Sequence, residues 1–478
     1  MRRKVKIICT LGPSSYEDET IEALIHAGMN IARLNFSHGD HEFYRALINR
    51  IRHVAARLNE PVAILQDLQG PKIRIGKVKN DAIILKDGDK TIITVESVLG
   101  NQHMFSSSYL PLIRDVAVGD SILLDDGKIV LLCEEKDSTK LYCRIEQGGM
   151  LKSNKGINLP HSATSADSLT EKDIRDLNFG AHAGVDAVAL SFVRSAQDVI
   201  MLRQELASTK TRPLIIAKLE KQQAIDDLEN ILRVSDGVMV ARGDLGVEVP
   251  AEYVPLIQKR IIERALVHGK TVVVATEMLE SMITQIRPTR AEASDVANAV
   301  LDGADMLMLS AETAAGAHPI KAVTMMHRIV SHVEDSNRAS YWRTSKLVLQ
   351  QEKRDIQNTM ALGAVQACEI LKANAIVMFT NSGTTARMVS AYRPQKPIIA
   401  FVPNIMVQRT LSFCWGVQAF VLKTPESTSE LLKAINNILL NMQGFTAGDR
   451  VIVLTKIPLI SREHTNTVHI HTLKPVME

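Results

Sequence analysis

Eight short apolar runs punctuate the chain: VKIICT, NIARLNFS, VAILQDL, AVALSFV, LIIAKLE, GVMVARGDL, TVVVATEML and MLMLSAET. Each is apolar nearly throughout, the composition of a parallel strand covered on both faces. Between them lie stretches with polar and apolar positions at helical spacing, among them DETIEALIHAG, EFYRALINRIRHVAARLN, SAQDVIMLRQELAS and VPLIQKRIIERALVHG. Strand followed by helix, eight times over, predicts a (β/α)8 TIM barrel. A doubly wound open sheet is the alternative, but eight units suit closure better.

Two departures from this rhythm define further domains. Residues 71–160 separate the third and fourth runs and read KIRIGKV, AIILKDGDKTIITV, DSILLDDGKIVLLCEE and KLYCRIEQGG. Alternating short strands with turns at Asp87-Gly88 and Asp126-Gly127 predict a small antiparallel β-barrel domain, inserted over the barrel's active face as a lid. The helix TEKDIRDLNFGAHAG that re-enters the barrel has its capping signal at Ser168 or Thr170. Residues 1–70 and 161–344 then form the barrel, and 345–478 a C-terminal α/β domain with strands AIVMFT, PIIAFVP, AFVLKT and DRVIVLT.

Composition narrows the setting. Net charge is +3, too small to imply a nucleic-acid surface. Five scattered cysteines without a CxxC pair argue against a disulfide framework or zinc site and for a reducing, cytoplasmic compartment. The N-terminus lacks the apolar run of a signal peptide, and no stretch has the length of a membrane helix.

The strand ends carry the chemistry. They hold Thr10; Arg33, Asn35 and Ser37; Asp67; Lys218 and Glu220; Arg242 and Asp244; Thr276 and Glu277; and Ser310 and Glu312. One such residue is ordinarily a satisfied strand-end group, but polar ends on seven of eight strands form a ring where barrel enzymes place catalysis. Glu220 and Asp244, on adjacent strands, can share a hard cation such as Mg2+ with substrate oxygens. Arg33, Arg74, Lys218 and Arg242 surround them with positive charge, which suits an anionic substrate and phosphoryl transfer. Gly243 lets backbone amides approach a ligand, while Thr276 and Ser310 offer uncharged hydroxyls. The residues alone reach a Mg2+-dependent barrel enzyme acting on a phosphorylated or enolate-type acid.

The strings ARLNFSHG, DLQGPKIR, SNKGINLP, MVARGDLGVE, ATEMLESMI and PTRAEASDVANAVLDGADMLMLSAETAAG resemble pyruvate kinase of the bacterial type II branch, along essentially the whole chain. The resemblance implies transfer of a phosphoryl group from phosphoenolpyruvate to ADP, giving pyruvate and ATP. By position, it implies that Lys218 neutralises the moving phosphoryl group and that Arg33 binds it. Glu220 and Asp244 then hold Mg2+ or Mn2+, and Arg74 and Lys155 contact nucleotide and phosphate. Amides of Gly243 and Asp244 with the Thr276 hydroxyl hold the substrate carboxylate, and Thr276 and Ser310 lie on the proton path to the enolate carbon.

Asn35, Ser37, Asp67 and the Leu68 carbonyl match the family's K+ position. Lys72, however, stands where K+-requiring members have glutamate, and with Leu68, Gln69 and Ile75 it matches the branch that works without K+. Ala315 replaces a family lysine, with no consequence to derive. The loop Thr380, Asn381, Ser382, Gly383, Thr384 and Thr385 matches the family's phosphorylated-effector loop, an ordinary capped turn being the plainer reading of the residues themselves. The family is usually a homotetramer. Rival readings are another Mg2+-dependent, enolate-handling barrel enzyme and an inactive, effector-sensing homologue.

Overall fold

The computed structural model describes residues 3–160, 165, 167–209, 211–336, 356–457 and 464–475. The expected domain break at 344/345, and residues 351–355 at the start of the helix that QEKRDIQNTMALGAVQACEILKANA predicts, lie outside them.

In chain order, the first strands are β1 (Lys6–Thr10), β2 (Ile31–Asn35) and β3 (Ala63–Asp67). Next come β4 (Ala82–Leu85), β5 (Lys90–Thr94), β6 (Met104–Ser106), β7 (Ser121–Leu124), β8 (Ile129–Lys136), β9 (Lys140–Gln147), β10 (Gly149–Lys152) and β11 (Ile157–Asn158). They are followed by β12 (Ala187–Leu190), β13 (Leu214–Leu219), β14 (Gly237–Ala241), β15 (Thr271–Ala275) and β16 (Met306–Leu309). The last set is β17 (Ala375–Phe379), β18 (Ile398–Val402), β19 (Val417–Val421), β20 (Arg450–Thr455) and β21 (Thr467–Thr472).

The predicted barrel is present. β1-β16-β15-β14-β13-β12-β3-β2 close into a ring with parallel pairing throughout, and the open-sheet alternative is excluded. Alternate residues of each strand divide between two apolar clusters, as a two-residue side-chain period requires. Ile8, Ile31, Leu65, Ala189, Ile216, Met239, Val273 and Met308 fill the interior. Their neighbours Ile7, Ala32, Ile64, Val188, Ile215, Val240, Val274 and Leu309 face the surrounding helices. The helix Glu171–Ala183 opens with a reciprocal capping box between Thr170 and Asp173, so Thr170 is the cap rather than Ser168.

The segment between β3 and β12 forms a six-stranded sheet, β11-β7-β8-β9-β5-β6, and a two-stranded ribbon, β10-β4, around its own apolar core. This insert is a half-closed barrel whose first and last strands lead back to the barrel's mouth. The C-terminal sheet, β19-β18-β17-β20-β21, is parallel except for β21 and is covered on both faces by apolar clusters. It docks on the opposite, N-terminal end of the barrel. There Arg393 donates to Asp305 Oδ1 at 2.8 Å and to the Gly303 carbonyl at 2.9 Å, while Ser412 Oγ donates to the Pro61 carbonyl at 2.7 Å.

Candidate active site

The interior register of the barrel carries directly into the site. One further two-residue step beyond Ile8, Ile31, Leu65, Ala189, Ile216 and Met308 reaches Thr10, Arg33, Asp67, Ser191, Lys218 and Ser310. Each of these side chains therefore starts from the barrel's inner face at its C-terminal end.

Lys218 is the hub. Its ammonium lies 2.8 Å from Glu220 Oε1, 3.4 Å from Asp67 Oδ1 and 2.8 Å from Ser191 Oγ. Burial works against this charge, but Asp67 and Glu220 outweigh it and raise the Lys218 pKa above the ordinary lysine value. Asp67 also accepts from Arg33 Nε at 2.7 Å, and Arg33 Nη1 donates to Thr10 Oγ1 at 2.9 Å. Burial favours the neutral Asp67 acid, yet Lys218 and Arg33 keep its carboxyl below the usual range. Two cations, each 12% exposed, are thus held on one carboxylate at the C-terminal end of the barrel.

Glu220 is buried, and burial raises its carboxyl, with Lys218 opposing and the nearby Asp244 adding to the rise. Its Oε2 accepts from the Phe192 amide at 2.6 Å. Its Oε1 has no hydrogen bond of good geometry, despite the Lys218 ammonium alongside. A buried carboxylate oxygen with free lone pairs beside a second carboxylate fits a hard divalent cation. Among the described residues no three His, Cys, Asp or Glu side chains converge. The donor set on offer is therefore two carboxylates, which leaves coordination positions for substrate oxygens and water, the habit of Mg2+.

Two elements differ from expectation. β14 ends at Ala241, and Arg242–Glu248 form a short helix, so Arg242 and Asp244 sit on a helical turn rather than a strand. β15 ends at Ala275, and Thr276 and Glu277 follow with φ of 68° and 53°, a left-handed corner unusual for side-chain-bearing residues. That corner is held by Arg242, which donates to the Thr276 carbonyl at 2.7 Å, and by the Gly243 amide, which donates to Thr276 Oγ1 at 2.8 Å. The Gly243 amide is thus engaged by Thr276. Ser310 caps the turn Ala311–Ala314, and the fully buried Glu312 accepts from the Ser310 amide at 2.6 Å and the Leu279 amide at 3.1 Å.

The remaining predicted residues stand apart from this hub. Lys155 pairs with Asp125 of the insert at 2.7 Å, and Arg74 Nη1 donates to the Asn154 carbonyl at 2.8 Å. Lys72 is exposed, on the rim of the cleft between insert and barrel that Asp126, Lys221 and Asp244 also line. Near Asp67, the Leu68 carbonyl accepts from Ser191 Oγ at 2.7 Å, and Asn35 Oδ1 accepts from the Ser37 amide at 3.3 Å.

In the C-terminal domain, Gly383 has φ of 79° and leads into the helix Thr384–Ala391. Thr380 Oγ1 accepts from the Gly383 amide at 3.1 Å, Ser382 and Thr384 hydroxyls meet at 2.9 Å, and Thr385 meets Thr465 at 2.8 Å. Thr380, Ser382, Thr384, Thr385 and Thr465, with Asn381, Lys456 and His464, line a cavity of about 180 Å³.

Sequence reading passed over Ser191. It lies near the end of AVALSFV, the one run whose end was not counted in the ring, and the two-residue register was the signal that could have found it. The buried pair Lys221–Glu248, at 2.6 Å beside the cleft, had no comparable signal.

The chain has close relatives. A family model described as pyruvate kinase, barrel domain, matches residues 2–323, and one described as pyruvate kinase, alpha/beta domain, matches residues 358–471. The pyruvate kinase of Mycobacterium intracellulare is 43% identical over 478 residues, with 99% of each chain covered. That of Staphylococcus aureus strain MRSA252 is 45% identical over 474 residues, covering 98% of this chain and 80% of that one. A crystal structure of a pyruvate kinase from Cryptosporidium parvum superposes with a TM-score of 0.93 at 36% identity, covering 98% of this chain and 96% of that one.

Proposed function

The chain belongs to the pyruvate kinase family, and from that premise we propose how its own side chains carry out the reaction. It is a phosphotransferase that moves the phosphoryl group of phosphoenolpyruvate to ADP, and the enolate left behind takes up one proton to become pyruvate. The observation that carries the residue assignment is the buried hub: Lys218 set among Asp67, Glu220 and Ser191, with Arg33 beside it.

In this reading Arg33 and Lys218 bind the phosphoryl oxygens, and Lys218 meets the charge that shifts between leaving and attacking oxygens. Positioning and fixed charge supply most of the rate in such transfers. Glu220 and Asp244 hold Mg2+ or Mn2+. When bound, that ion supplies positive charge to the phosphoryl and enolate oxygens. The substrate carboxylate lies against the Gly243 and Asp244 amides and the Thr276 hydroxyl, which requires Thr276 to yield the Gly243 amide it now accepts from. Thr276 and Ser310 hold the proton route to the enolate carbon. Arg74 and Lys155 serve the nucleotide once the insert closes and Lys155 leaves Asp125.

The monovalent-cation position is Asn35, Ser37, Asp67 and the Leu68 carbonyl, and we propose that the enzyme does not depend on K+. Supporting this, the Asp67, Leu68 and Asn35 oxygens already serve protein donors. The Thr380–Thr385 loop is proposed to seat the phosphate of an activating metabolite, supported by its hydroxyls, the Gly383 turn and the cavity shared with Lys456. The division into a barrel of 1–70 and 161–344, an insert of 71–160 and a regulatory domain of 345–478 belongs to the same reading, as does a homotetramer. A cytoplasmic setting is supported by five free, buried thiols, and among the described residues no helix is long and apolar enough to cross a membrane.

The test is an ADP-phosphorylation assay coupled to reduction of the pyruvate formed. ADP-dependent pyruvate release is expected. Its absence in the folded, Mg2+-supplied protein would favour the effector-sensing rival, and pyruvate released without ADP would favour the enolate-lyase rival.

A further inference from the structure

Beside the cleft between barrel and insert lies an ion pair that the phosphoryl transfer itself leaves idle. Lys221 Nζ donates to Glu248 Oε1 at 2.6 Å, and the two side chains are only 11% and 2% exposed. Asn158 of β11, the last strand of the insert, donates through Nδ2 to the same oxygen at 3.4 Å. Glu248 Oε2 has no hydrogen-bond partner among the described residues. Lys221 and Asn158 line the cleft together with Asp244.

Such a pair is a poor source of stability. Two charges taken out of water lose hydration that their attraction only partly returns, and an apolar pair of similar volume does as well or better. The unpartnered Oε2 adds to that cost. What the pair does supply is a fixed separation. Lys221 directly follows Glu220, just past the end of β13, and Glu248 is the last residue of the helix Arg242–Glu248. Asp244 lies four residues before Glu248, on the same face of that helix. The contact therefore joins the residue next to one metal carboxylate to the residue one helical turn from the other. Like charges that are to share a cation repel until it joins them, so the segments carrying them need a tie of this kind.

We infer that Lys221 and Glu248 are positioning residues for the divalent-cation site, their ion pair setting the distance between Glu220 and Asp244. Both act through those carboxylates and not on the substrate. The inference rests on the reading of Glu220 and Asp244 as the metal carboxylates.

The probe is Mn2+, whose binding to the full-length protein is followed by electron paramagnetic resonance of the free ion, with no substrate present. The deciding variant combines Lys221→Met with Glu248→Leu. It removes one positive and one negative charge together, so the net charge beside the cation site is unchanged, and apolar side chains keep the space filled. Its melting temperature should stay close to that of wild type. Its Mn2+ affinity should nevertheless fall by about tenfold, the loss expected when groups that orient metal ligands are removed. Glu220→Gln is the control and should lose Mn2+ binding. If the control loses binding but the double variant weakens by less than about threefold, the inference is overturned and the metal assignment stands. If Glu220→Gln binds Mn2+ like wild type, the metal assignment fails and the inference fails with it. Should circular dichroism show that the double variant does not fold, Glu248→Asp decides in its place. It keeps both charges but shortens the reach by one methylene, and an affinity equal to that of wild type would overturn the inference, whereas a weakened one upholds it.

Discussion

Lys218 Nζ and Glu220 Oε1 stand 2.8 Å apart at the barrel mouth, two residues apart at one strand end and on one face. The pair joins a charge fit for a phosphoryl group to a carboxylate fit for a metal. In Lys218→Met the metal carboxylates remain while the cation is lost. Turnover should fall by at least the ~10²–10³ that loss of one buried transition-state donor costs. Proton exchange at the methyl carbon of pyruvate should fall less, since Thr276 and Ser310 are untouched. A variant that keeps more than about a tenth of wild-type kcat would remove Lys218 from the transfer step.

Ser191 Oγ accepts from Lys218 at 2.8 Å and donates to the Leu68 carbonyl at 2.7 Å, which sets where the ammonium points. A hydrogen bond to a charged group is worth about 1.5–3 kcal/mol, so Ser191→Ala should lower kcat by roughly tenfold or more. The effect should appear in kcat more than in the KM for ADP. Equal kcat in the variant and wild type would show that Asp67 and Glu220 hold Lys218 unaided.

Much of this architecture could be read along the chain because parallel strands buried on both faces announce themselves as apolar runs, and their ends as polar interruptions. Thr10, Arg33, Asp67, Lys218 and Ser310 follow from that pattern and a two-residue step. Arg242 and Asp244 were placed on a strand because GVMVARGDL is continuous in composition, whereas the chain turns helical at Arg242. Nothing local marks that turn, which is stabilised by distant partners such as Asp295, at 2.7 Å from Arg242. Likewise, the pairing of Lys155 with Asp125 and the closing of a cavity around Thr384 depend on contacts between elements far apart in sequence.

On the barrel's flank, Arg264 grips Glu229 through two bonds, Nε to Oε1 at 2.6 Å and Nη2 to Oε2 at 2.9 Å, and His268 Nε2 lies 2.7 Å from Oε2. Chiefly through Arg264, against some burial and with His268 adding, the Glu229 carboxyl is held down to about 2 from its ordinary 4.5. A depressed folded-state pKa contributes stability that is complete above pH 4.5 and fades as pH falls toward 2. The pair is partly exposed, so the contribution belongs with screened surface pairs, about 0.2–1 kcal/mol. Glu229→Gln should therefore unfold at a lower temperature than wild type at pH 7, and the gap should shrink below pH 4.5. A gap that stays constant down to pH 3.5 or widens on acidification would contradict this linkage.

The proposed independence from K+ has the most direct test. A bound K+ would need the oxygens of Asn35, Ser37, Asp67 and Leu68. Asp67, though, already faces Arg33 at 2.7 Å and Lys218 at 3.4 Å, and the Leu68 carbonyl receives Ser191. A free cation added there meets two fixed positive charges rather than a bare carboxylate. Lys72, exposed on the rim of the cleft that Asp244 also lines, adds a tethered ammonium to that cleft. Turnover measured in tetramethylammonium buffer should therefore rise less than about tenfold, or roughly 1.4 kcal/mol, on adding KCl at matched ionic strength. Lys72→Glu, at an exposed position where folding is safe, should lower turnover without K+ and recover part of it when K+ is added. Stimulation beyond tenfold in the wild type would show that K+ occupies this position after all. A Lys72→Glu variant indifferent to K+ would instead leave Arg33 and Lys218 as the charges that make the ion unnecessary.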